Sequence, residues 1–271
     1  MTSTQPAPSP SGQPSSQPRG PMIAWVLVGV LAVACAVLAG MLVMQSAQLA
    51  ELRATPATAA VPATHAPSAT ARPQAADLPQ PVTDPKALEI ARGLPRRDAN
   101  DPLALGKTDA KVVLTVWSDF RCPFCSKWER ETLPALKPFV DSGSLRIEHR
   151  DLVLFGEDSE RAAVAARAAG RQGKFWEYAA AVAQAAPASG HPPMPEAKVK
   201  EFATSAGLDA ARFAADLADP ELAKAAQADT AHANQIGITG TPFFIVNDTP
   251  IHGAYPTEVF VKVIESYGGT K

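Results

Sequence analysis

Residues 111–133 read KVVLTVWSDFRCPFCSKWERETL, and the order of their parts decides the fold. Val112 to Trp117 is a short run apolar at almost every position, which suits a strand covered on both faces at the centre of a sheet. A helix-patterned run follows and reaches about Val140, with Phe124, Trp128, Leu133, Leu136, Phe139 and Val140 near one face. Pro134 is expected to kink that helix. Cys122-Pro123-Phe124-Cys125 stands at the junction, where the first backbone N–H groups of the helix are unpaired and carry partial positive charge. Such a position favours a thiolate over a thiol, so Cys122 is expected to be an acidic, accessible sulfur with Cys125 one turn behind it.

Downstream, Asp141-Ser142-Gly143 ends the helix, and Leu145 to Arg150 alternates and reads as a second strand. Strand, helix and strand imply a parallel pair with a right-handed crossover. Residues 158–235 are Ala-rich without a credible strand, and helices are predicted at about 159–172, 174–186, 195–206, 209–217 and 220–236, with Gly190 to Pro195 as a loop. Asp209 and Asp219-Pro220 read as helix starts. A strand at Phe243 to Asn247, a turn at Asp248-Thr249-Pro250, a short strand at Ile251-His252 and a helix from Pro256 to Tyr267 complete the chain. Upstream, Asp84-Pro85 opens a short capped helix to Arg92. The fold class is α/β: a thioredoxin-like sheet with an inserted helical subdomain at about 157–236 inside a domain at 85–271.

The N-terminal third is different. Residues 1–21 are Ser, Pro, Gln and Gly with one basic residue, and read as a disordered tail. Residues 22–44 contain no charge, which is long enough to span a bilayer core. A cleaved signal peptide has an apolar core of only about 7–15 residues. A lipoprotein would be modified at Cys35, but Ala32-Val33-Ala34-Cys35 lacks the usual Leu three before the Cys. A single retained transmembrane helix is the expectation, with a slight excess of positive charge favouring the N-terminus inside. Cys35 reads as a small packing residue. Residues 45–84, rich in Ala, Pro and Thr, read as an extended linker that could hold the domain roughly 100 Å from the membrane. The expected location is the cell membrane, single-pass, with the domain on the extracytoplasmic side.

Composition limits the alternatives. With 25 basic and 27 acidic residues, the formal charge of −2 argues against a strongly basic nucleic-acid-binding protein. Three cysteines, one of them inside the apolar span, exclude a disulfide scaffold. CPFC itself admits a zinc half-site, a structural disulfide or a redox pair. Zinc needs further ligands, and His149, His191, His232 and His252 lack metal spacing. Haem attachment needs His after the second Cys, where Ser126 stands. A disulfide closing so short a loop contributes little as a staple. The strand–CPFC–helix setting favours redox use. Thr241-Pro242 reads by default as a trans proline at a strand start. Trp117, Phe120, Trp128, Phe175 and Trp176 read as core, Phe124 as exposed beside the sulfurs, and His252 as a surface or strand-end residue.

Four segments together resemble the DsbA-like thiol–disulfide oxidoreductases of the bacterial cell envelope: Ser118-Asp119-Phe120-Arg121-Cys122-Pro123-Phe124-Cys125, Gly173-Lys174-Phe175-Trp176, Gly207-Leu208-Asp209, and Gly237-Ile238-Thr239-Gly240-Thr241-Pro242-Phe243-Phe244. The resemblance covers roughly 100–267. It implies a nucleophilic Cys122, a resolving Cys125, a redox-active disulfide between them, and a cis proline at 242 facing them. Pro123, Phe124, Thr241 and Pro242 are then the expected client-contact residues. No metal and no cofactor are expected. The implied partners are unfolded or reduced exported proteins and a membrane redox partner for reoxidation. Disulfide formation is the expected reaction; isomerase or reductase use of the same site, and a non-catalytic binding module, are the alternatives. Many relatives carry a carboxylate six residues before the first cysteine, where this chain has Val116. Asp119 is the nearer acid, which leaves the proton acceptor of Cys125 open.

Overall fold

The computed structural model describes residues 78–271. The expected tail at 1–21, the apolar span at 22–44 and the linker as far as residue 77 lie outside the described residues. Among the described residues, no helix is long and apolar enough to cross a membrane.

Helix α1 (Pro85–Gly93) starts at Asp84, whose Oδ1 accepts from the Ala87 N–H at 2.9 Å. Then come β1 (Ala104–Leu105), β2 (Val112–Ser118), α2 (Pro123–Glu131), α3 (Leu133–Asp141) and β3 (Leu145–Asp151). The inserted helices are α4 (Glu157–Gly170), α5 (Phe175–Ala185), α6 (Glu196–Ser205), α7 (Ala210–Leu217) and α8 (Pro220–Gln235). The chain returns through β4 (Phe243–Val246) and β5 (Thr249–His252) to α9 (Thr257–Ser266). The sheet order is β1-β3-β2-β4-β5, so β2 is central. It pairs with β3 in parallel and with β4 antiparallel.

The physical reason for this arrangement is burial on both sides of β2. Val112, Leu114 and Val116 pack with Trp128, Leu136, Phe139, Phe244 and Phe260 on one face. Trp117, on the opposite face, packs with Leu94, Leu152, Ala233 and Ile238. The insert has its own core, in which Ala162, Ala165, Ala166, Ala168 and Ala169 of α4 lie against Phe175, Tyr178, Phe202 and Phe213. Alanines on α4 keep its surface low, so the aromatic rings fill the space between helices. Asp209 and Asp219 cap α7 and α8, accepting from the Arg212 N–H at 2.7 Å and the Glu221 N–H at 2.9 Å.

Four details differ from the sequence reading. First, β1 pairs antiparallel with β3 at the sheet edge; two residues are too few to show a period. Gly106 ends it with φ +88°, and a Cβ there would meet the Leu145 carbonyl oxygen at 2.3 Å. Second, the expected kinked helix is two helices that meet at Thr132, because Pro134 lies in the first turn of α3, where its missing N–H costs nothing. Third, β3 is buried at all seven positions. The face carrying Arg146, Glu148 and Arg150 is covered by the chain after α1, and the charges there pair with one another. Fourth, the hairpin turn is Asn247-Asp248, with Asn247 at φ 53°, so β5 begins at Thr249 and Pro250 lies opposite Ile245. Proline is tolerated there because β5 is an edge strand.

Candidate active site

Both halves of the site arrive at the same end of the sheet. Strand β2 delivers Ser118 and the turn 119–121, and Cys122 is the N-cap of α2 in extended conformation (φ −79°, ψ 120°). Strand β4 pairs Phe243 with Trp117, which brings the preceding Thr241-Pro242 beside Cys122. That peptide bond is cis. The Cys122 Sγ lies 3.6 Å from the Thr241 carbonyl oxygen. Pro123 occupies the first helical position, where its fixed φ fits and no N–H is needed.

The two sulfurs, both free thiols here, are electrostatically unlike. The Cys122 pKa is lowered to about 6. The Cys125 thiol hydrogen-bonding to it is the largest cause; burial opposes, and Thr241 and the backbone N–H groups of Cys125 and Phe124 add to the lowering. The helix start therefore contributes, but the neighbouring thiol contributes more. Cys125 is pushed well above the usual thiol value, first by burial and then by Cys122 itself. The Thr241 hydroxyl is buried with no other hydrogen-bond partner among the described residues, and can donate to a thiolate.

The expectation of an accessible sulfur is corrected. Cys122 is only 3 % exposed, whereas Phe124 next to it is 59 % exposed. Packing beneath the Thr241 loop removes the sulfur from the surface. Trp117, Phe120, Trp128 and Phe175 are buried and Trp176 is partly buried. His252 is exposed at the end of β5, edge-on to Phe243.

Asp119 is held by three hydrogen bonds, and burial raises its pKa. Its Oδ1 accepts from the Arg121 N–H at 2.8 Å and the Ser159 hydroxyl at 2.9 Å, and its Oδ2 from the Leu154 N–H at 2.9 Å. It ties the turn before Cys122 to the start of the insert. Val116 is core. A second acid beside Cys125 is Glu129, which the sequence reading missed. Its Oε1 is buried without a hydrogen-bond partner among the described residues. It shares with Asp119, Cys125, Ser118, Ser126 and His149 the lining of a cavity of about 10 Å³, room for about one water. Burial alone pushes its pKa up to about 8. The signal in the sequence was spacing: Glu129 lies four residues after Cys125, on the same side of α2.

Residues 98–266 match the thioredoxin family. The chain belongs to that family. This thioredoxin-family chain is 28% identical over 151 residues to a probable disulfide bond formation protein D of Bacillus anthracis, a match covering 53% of the chain and 69% of that relative. It is 32% identical over 164 residues to a Na(+)/H(+) antiporter NhaA 3 of Salinispora tropica, covering 59% of the chain and 24% of the relative. The chain thus spans about a quarter of the length of the antiporter relatives. Among solved structures it is similar to oxidised BdbD from Bacillus subtilis, with a TM-score of 0.56 at 22% identity over 62% of this chain and 92% of that one. It is also similar to a thioredoxin-like oxidoreductase from Silicibacter pomeroyi, with a TM-score of 0.53 at 28% identity over 64% and 95%.

Proposed function

We propose that this chain is a thiol–disulfide oxidoreductase of the DsbA type that forms disulfides in exported proteins, with Cys122 as nucleophile and leaving group and Cys125 as resolving thiol. The observation that carries the reading is the opposed acidity of two sulfurs one helical turn apart, the acidic one facing Thr241. In the oxidised enzyme a client thiolate attacks the Cys122 sulfur and Cys125 leaves as a thiolate. A second client thiolate then attacks the client sulfur of the mixed disulfide and expels the Cys122 thiolate. The client loses two electrons and the cysteine pair gains them. Glu129, protonated at neutral pH, gives its proton to the departing Cys125 and takes one back during reoxidation by a partner's disulfide. An extended client segment pairs with the Thr241 backbone next to Pro242 and lies against Pro123 and Phe124.

The name of the Bacillus relative and the likeness of the Silicibacter oxidoreductase support this chemistry. The segment at 22–44, read as an anchor, and the linker at 45–84 would keep the 85–271 domain, with its insertion at about 157–236, near a membrane redox partner outside the cytosol. A reduction potential of about −120 mV supports the oxidase direction and one of about −270 mV a reductase.

The decisive experiment is Cys125→Ala incubated with a reduced client protein. A mixed disulfide through Cys122 accumulates and resists resolution; a variant that forms no adduct, or a Cys122→Ala variant with full activity, refutes the reading. A second expected result concerns Thr241. In Thr241→Val the thiolate loses a hydrogen-bond donor, and the Cys122 titration, followed by thiolate absorbance, moves up by about one pH unit.

A further inference from the structure

Arg121, the residue before the nucleophile, spends its whole guanidinium on backbone. Its Nε donates to the Pro192 carbonyl at 2.7 Å, Nη2 to the His191 carbonyl at 2.6 Å and Nη1 to the Phe155 carbonyl at 2.5 Å. The acceptors belong to two separate loops, β3–α4 and α5–α6. The His191 ring in turn donates from Nδ1 to the Arg121 carbonyl at 3.1 Å, which places it one peptide from Cys122. His191 stacks on Phe155 with ring centroids 3.5 Å apart. Arg161 holds the far end of the α5–α6 loop through the Met194 carbonyl at 2.9 Å; Arg121 holds the end nearest the sulfur.

The two loops present an apolar surface. Three large hydrophobic side chains are exposed among the described residues: Ile90, Phe124 at 59 % and Leu154 at 37 %. Phe124 lies two residues after Cys122, and the Leu154 N–H is bonded to Asp119 in the turn before it. Apolar side chains gathered at one place on a surface mark a contact site. The charge of Arg121 is not among the leading causes of the low Cys122 pKa, so its contribution is to geometry.

We infer that Arg121 is a positioning residue for client binding: its guanidinium fixes Leu154, Phe155 and His191 as a wall beside Cys122 that selects client segments with an apolar or aromatic side chain next to their cysteine. This rests on the oxidoreductase reading proposed above. A rigid wall binds without first losing loop freedom, so loosening it weakens binding and leaves the sulfur chemistry alone.

The test uses the full chain and two reduced dithiol peptides, one with Phe and Leu beside its cysteines and one with Ser and Gly. Arg121→Lys keeps the charge and loses the three-way fork. It raises KM for the apolar peptide by about fivefold or more and changes KM for the polar peptide much less, with the Cys122 titration midpoint and reduction potential unmoved. A Phe155→Ser, His191→Ser double variant, which leaves Arg121 intact, produces the same split and supplies the answer should Arg121→Lys not fold. Equal KM changes for both peptides, no change in either, or a moved midpoint overturns the inference. Wild type that oxidises neither peptide overturns the oxidoreductase reading itself, and the inference with it.

Discussion

Glu129→Gln yields a protein that is more stable and slower. Glu129 has its folded pKa raised from 4.5 to about 8 by burial. A carboxyl with a raised pKa favours folding fully below its unfolded value, and that advantage is lost as pH rises through the folded value. Wild type therefore loses stability between about pH 4.5 and 8, and glutamine, which never ionises, does not. The variant gains nothing at pH 4 and about 3 kcal/mol at pH 7, read by urea denaturation at the two pH values. On the proposed mechanism Cys125 also loses its proton acceptor in this variant, so reoxidation by a small disulfide falls by about a hundredfold. The rate profile also loses its inflection near pH 8. Equal stability of the two proteins at pH 7 contradicts the burial argument; an unchanged pH–rate profile contradicts the proton role.

The second large effect is expected at Glu148, on the strand whose charges are hidden. Its side chain is 0 % exposed and accepts from the Arg96 and Arg97 N–H groups at 2.8 Å each, from Arg146 Nε at 2.7 Å and from Arg150 Nη2 at 2.9 Å. Burial works to raise its pKa, yet these donors and the Arg150 charge hold it at about 2. Glu148→Ala leaves two guanidinium groups and two N–H groups without their acceptor, a loss of about 3–5 kcal/mol. For a domain of this size that is about 10 °C in Tm. The sign with pH follows from the depressed pKa: the stabilisation is present above about pH 4.5 and lost as pH falls toward 2. Denaturation at pH 7 and pH 3 should show the gap between variant and wild type narrowing in acid. A gap that widens in acid contradicts the assignment.

Both residues show where sequence reasoning stops. The strand–CPFC–helix unit is legible because each part carries a local cue: an apolar run, a proline at a helix start, an aromatic face at helical spacing. The insert is legible from its composition and its Asp caps. Glu148 was not, because LRIEHR has the alternation of a half-covered strand, and what covers its polar face is Arg96, Arg97 and their neighbours some fifty positions away. Glu129 was not, because a glutamate on an amphipathic helix is ordinarily solvated; the packing of α5 against α2, with Ala179 and Ala183 at the cavity wall, buries its Oε1. Strand β1 carries no period at all. In each case the missing information is tertiary. One cue was available and unused: the one-turn spacing of Cys125 and Glu129.

The recessed Cys122 has a consequence for timing. A sulfur 3 % exposed, set back behind a prominent ring, cannot be reached by the broad convex surface of a finished globular protein. A thin, unsupported stretch of main chain can enter. On the proposed chemistry, a polypeptide is accessible to this site only while its own cysteines are still on loose segments, so the window for oxidation closes as the newcomer compacts.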